Sequence, residues 1–76
     1  MIKISYHNHY ALSTKTQSTY RVEIIDYIYT IGRKHNLPIT SIKHHAFEIW
    51  IEFANPVHET WFLLTFNQPY EVKQLC

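Results

Sequence analysis

A single glycine, Gly32, and a single cysteine, Cys76, remove whole classes of chemistry from this chain of 76 residues. Phosphate loops and dinucleotide fingerprints need several glycines where the backbone must approach a phosphate, so nucleotide sites of that kind are excluded. One cysteine forms no intramolecular disulfide, which excludes a disulfide-stapled scaffold and the common cysteine-based zinc sets. A nucleophilic thiol needs a cation or imidazole held beside it, and the usual disorder of chain ends argues against that role for Cys76. No apolar run reaches the roughly 20 residues of a membrane-spanning helix, and the first residues lack the basic start and apolar core of a signal peptide. The expectation is a cytoplasmic protein that makes no membrane contact. An excess of one charge is missing too: seven Lys and Arg stand against six Asp and Glu, a formal net charge of +1. That balance gives no overall attraction to nucleic acid, and any basic patch must be local.

What the chain has in quantity is aromatic side chains: six Tyr, four Phe and two Trp. Each ring removes about 150–250 Å² from water when buried, which lets one short domain, residues 1–76, build a core. Aromatic area beyond the capacity of that core must lie at the surface, where it favours a binding face.

The polar/apolar alternation of residues 2–12 predicts a first strand. Ile2, Ile4, Tyr6, Tyr10 and Leu12 share one side, His7 and His9 the other, and Asn8 breaks the pattern. A loop over 13–19 leads to a helix from Tyr20 to about His35, with Ser18 or Thr19 as its cap and an apolar stripe through Ile24, Tyr27 or Ile28, and Ile31. "HNLP" ends it: Asn36 takes the left-handed position, Leu37 folds back and Pro38 blocks continuation. Gly32 inside the helix costs about 1 kcal/mol against Ala, explained by close packing or by a partner's approach.

Residues 39–53 read as a second strand, with Phe47, Ile49, Ile51 and Phe53 on one side and Glu48, Trp50 and Glu52 on the other. "ANP" turns the chain into a third strand over 58–66, where Trp61 and Leu63 share a side. After "NQP", "YEVKQLC" forms a short fourth strand or a tail. The expected fold is two-layer α+β, one helix packed on a three- or four-stranded, mainly antiparallel sheet in the order β-α-β-β(-β). Its uncovered sheet face would carry Trp50 and Trp61 beside Glu48 and Glu52, either as an internal aromatic pair or as an interface anchor.

His7 and His9, two apart on a strand, would present both imidazoles on one side from Cα atoms about 7 Å apart, a weak start for a metal site that lacks further ligands of recognised spacing. "HExxH" is absent, and "HNH" on one strand lacks the dispersed geometry of a metal nuclease. Glu48 and Glu52 would lie about 13 Å apart, too far to chelate one ion. No "GxSxG" elbow occurs. No cofactor and no catalytic residues are expected, and the chain reads as a non-enzyme.

The favoured function is a small protein-binding module, an inhibitor, adaptor or subunit covering a surface of a larger protein, or a homodimer. Trp50, Trp61, Glu48, Glu52, Tyr27 and Tyr29 are its candidate contacts. The alternative is a single-stranded nucleic-acid or RNA-binding module using Arg33, Lys34, Lys43, His44 and His45 at one end of the domain, beside exposed rings. A metal-binding protein or small metal-dependent hydrolase built on His7 and His9 is the minor alternative.

Overall fold

The computed structural model describes residues 1–75; Cys76, read above as an unreactive terminal thiol, lies outside them. The chain order is β1 (Ile2–Ser5), α1 (His7–Tyr10), α2 (Gln17–Lys34), β2 (Ile39–His45), β3 (Glu48–Phe53), α3 (Pro56–Thr65) and β4 (Glu71–Gln74). The four strands form one sheet in the order β2-β3-β1-β4, with every neighbouring pair antiparallel. Because β3 lies between β1 and β2, and β1 between β3 and β4, the chain makes two interlocked split β-α-β units.

Pairing of Ile2 with Ile51 and of Ile4 with Ile49 brings four isoleucines onto one side of the two central strands. There they are fully buried against Ile24, Ile28 and Ile31 of α2, Phe62 of α3, and Phe66 just beyond it. Each such side chain contributes about 1.5–3 kcal/mol when removed from water, so this layer is the main source of stability.

The fold is α+β with an antiparallel four-stranded sheet, as expected, but it is covered by several helices rather than one. Four of the expected elements change. The first strand stops at Ser5, because Tyr6 and Tyr10 lie one helical turn apart as well as on one strand parity. The intervening residues take the helical turn α1, and Leu12, expected on the apolar side, is 88% exposed. The stretch 39–53 is a hairpin with Ala46 and Phe47 as its turn and His45 opposite Glu48. No Gly, Asn or Pro marks that turn, and Ala46 supplies its positive φ of 52°.

The expected third strand is the helix α3. Asn55 caps it, accepting a hydrogen bond from the Val57 amide at 2.9 Å, and Pro56 occupies the first turn, where its missing N–H costs nothing. Glu59, buried in α3, pairs with the Met1 amine.

The termination of α2 follows the sequence. Asn36 has φ 55°, the Leu37 amide donates to the Gly32 carbonyl at 2.8 Å, and Leu37 is buried. The helix begins earlier than expected, because Thr16 rather than Ser18 or Thr19 is the cap, its hydroxyl accepting from the Thr19 amide. A β-carbon at Gly32 would stand 3.2 Å from Ile39 Cδ1 and 3.2 Å from the Leu37 carbonyl oxygen. Close packing inside the chain therefore accounts for this glycine.

Candidate functional site

Two surfaces compete for function: the uncovered face of the sheet and the outer face of its helical layer. On the sheet, the registers place Lys43, Trp50, Lys3 and Lys73 in one row across β2, β3, β1 and β4. His45, Glu48, Ser5 and Glu71 form the adjacent row. Trp50 is half-buried, with Lys3 Nζ 5.7 Å from the centre of its ring. Lys3 also pairs with Glu48 at 3.4 Å, and Lys73 with Glu71 at 3.7 Å. Cations and carboxylates thus alternate by row, and the one large ring is shielded by a lysine stem.

The helical face differs in chemistry. Val57, Trp61 and Leu64 stand at i, i+4 and i+7 of α3 and are 58%, 54% and 75% exposed, so they form one continuous outward stripe. α3 carries one carboxylate, Glu59, and that is buried, so its outward surface holds no acidic or basic side chain except the imidazole of His58. Beside it, α2 exposes Val22, Asp26, Tyr29 and Arg33, again at helical spacing. Of the exposed large apolar side chains among the described residues, five lie on these two helices; the others are Met1 and Leu12.

A cleft of about 290 Å³ opens between the end of α2 and the start of α3, lined by His35, Asn36, Leu37, His58 and Trp61. Within it, His58 Nδ1 is buried without a hydrogen-bond partner among the described residues.

Trp50 and Trp61, expected side by side, occupy opposite layers, because Trp61 is on a helix. Leu63, expected with Trp61 on the open sheet face, turns half-buried into the core. Tyr27 packs on Phe66 with ring centres 5.7 Å apart and is half-buried, whereas Tyr29 points outward. Glu48 and Glu52 do flank Trp50 on the sheet face. The basic residues are divided rather than joined. Arg33 and Lys34 end α2, whereas Lys43, His44 and His45 approach the hairpin turn, whose Ala46 carbonyl accepts from Gln17 Nε2 at the other end of that helix. The 18-residue helix, about 27 Å long, lies between Arg33 and Lys34 at its end and the hairpin turn that Lys43, His44 and His45 approach.

His7 and His9 do not share a strand face either. The His7 ring packs edge-on against Phe47 at 4.5 Å and the His9 ring against Tyr70 at 5.4 Å, so each has its own apolar neighbour. Among the described residues, no three His, Cys, Asp or Glu side chains are grouped to hold a metal ion. Tyr70 belongs to an aromatic cluster with Tyr20 and Phe66. Partial burial, followed by the neighbouring Tyr20 hydroxyl and Glu23, pushes its phenol well above its ordinary value.

No helix among the described residues is long and apolar enough to cross a membrane. Comparison with protein-family models, curated proteins and solved structures finds no match to this chain.

Reading 58–66 as a strand hides the α3 stripe. Its signal is in the sequence: Asn-Pro opens the segment, and Val57, Trp61 and Leu64 then recur at helical spacing, with Glu59 the one acidic residue between them.

Proposed function

We propose that this chain acts by binding another protein through the outer face of α2 and α3, as an inhibitor, adaptor or subunit, and that it is not an enzyme. The observation that carries this reading is the uncharged stripe of Val57, Trp61 and Leu64. A surface helix ordinarily places charged residues outward, and an apolar outward stripe has a favourable free energy to gain only when something covers it. Tryptophan is the side chain most often found at the energetic centre of such contacts. Trp61 is thus the anchor, with Leu64 and Val57 completing the apolar area and Tyr29 extending it across α2.

The test compares two exposed-surface variants in the cells that express the protein. Trp61→Arg should leave the chain folded and abolish association, a loss of at least about 2 kcal/mol for an anchoring aromatic. Replacing Lys43 and Lys73 with Gln should leave association intact. The reverse pattern would overturn this reading.

A second reading rests on the row Lys43, Trp50, Lys3 and Lys73, since a ring among lysines on an open sheet is a platform for single-stranded nucleic acid. Glu48, Glu52 and Glu71 on the same face oppose it by repelling phosphates. Binding that falls steeply with salt and is lost with the lysines would favour this second reading.

A further inference from the structure

Resting on the helical-face reading above, we infer that the protein covering α2 and α3 is a second copy of this chain, related by a two-fold axis that crosses α2 near Tyr29. The outward stripe of α2 reads Val22, Asp26, Tyr29, Arg33: an acid and a base two turns apart on one face, with exposed apolar residues between and beside them. Asp26, Arg33 and Lys34 are exposed, and none makes an ion pair among the described residues. A stripe with one sign of charge on each side of its midpoint is complementary to itself once reversed.

The midpoint of Asp26 and Arg33 falls at Tyr29 and Thr30. A two-fold axis there, perpendicular to the helix, lays α2 antiparallel on α2 of the second copy. It sets Asp26 of each against Arg33 of the other, with the tyrosines meeting at the axis. One such contact therefore forms twice, which is the defining property of an isologous interface.

The α3 stripe is carried into the same contact. Tyr27 packs on Phe66, while the cleft joins His35 to His58 and Trp61, so α2 and α3 run antiparallel side by side. Leu64, two residues before Phe66, stands near the level of Tyr29. The axis thus brings Leu64 toward its own equivalent, with Trp61 one turn away to cover it. This buries apolar area from both helices while leaving the charged sheet face outside. The molecule measures 35 × 25 × 19 Å, and its broad face can supply the approximately 800 Å² per partner of a standard interface.

The experiment is sedimentation of the full chain from micromolar to submillimolar concentration. The expected species has twice the 9.2 kDa chain mass. Asp26→Lys should weaken dimerisation about tenfold or more, because two symmetric attractions become repulsions, and Arg33→Asp should do the same. Both substitutions in one chain should restore the dimer, since the pair is then reversed but still complementary; misfolding would not be rescued in this way. A chain that stays monomeric throughout, or a dimer that neither single variant weakens, overturns the inference. A monomer that still loses a different protein partner on Trp61→Arg would remove the second copy while leaving the helical-face reading intact.

Discussion

Ala46 holds a left-handed backbone conformation without being glycine, and the surrounding structure keeps it there. Its carbonyl accepts from Gln17 Nε2 at 2.8 Å and from the Tyr6 hydroxyl at 3.3 Å, so the hairpin is fastened to both α2 and the core. The β-carbon makes that conformation costly, by about 1 kcal/mol. Ala46→Gly should therefore stabilise the fold by up to about 1 kcal/mol in a denaturant titration, because the released strain outweighs the extra freedom glycine gains when unfolded. Tyr70 gives a prediction of opposite origin. Its folded-state ionisation lies above the ordinary value near 10, so the unfolded chain gives up the phenol proton first. Stability from this group is complete below about pH 10 and falls as the pH rises beyond it. Tyr70→Phe should flatten the alkaline limb of a stability profile. Both positions show the limit of sequence reading at this scale. Asn36, Leu37 and Pro38 were legible because a helix stop is local chemistry. The turn at Ala46 was not, because its residue type opposes its conformation, and Tyr70 acquires its environment only when Tyr20 and Glu23 are folded beside it.

Helix α3 shows the same limit in a whole element. Trp61, Phe62, Leu63 and Leu64 form a short apolar run, and a run of that length fits a buried strand and a helix equally. Asn55 and Pro56 decide the matter, one by accepting from the Val57 amide and the other by fixing a helical φ at no cost in hydrogen bonds. Asn55→Ala should cost about 1 kcal/mol of global stability, measured by thermal or denaturant unfolding. The helix α2 was legible because its stripe runs through Ile24, Ile28 and Ile31 over about two turns. The sheet order was not, because it depends on pairings such as Ile2 with Ile51 and Ile4 with Val72, which no local spacing encodes. That order determined the candidate site as well. Once 58–66 becomes a helix, Trp61 leaves the sheet, and the surface that reads as a binding face moves to the opposite layer.

Across the whole molecule, polarity is divided by layer. The sheet's outer face alternates rows of lysine and glutamate and shields Trp50, as a face that remains in water does. The helical face exposes Val22, Tyr29, Val57, Trp61 and Leu64, with Asp26 and Arg33 set among them. For a 76-residue chain, whose core can bury only part of its apolar area, covering that face with another protein adds stability as well as specificity. The aromatic surplus was visible in the composition, and its role in contact was the expectation; its location was not visible. The most direct measurement replaces one residue at a time with a photo-reactive phenylalanine derivative in cells that express the protein, at Trp61 and Leu64 on the helical face and at Lys43 and Lys73 on the sheet face. Irradiation should yield discrete protein adducts from positions 61 and 64 and none from 43 or 73. Adducts from 43 and 73 alone would contradict the account.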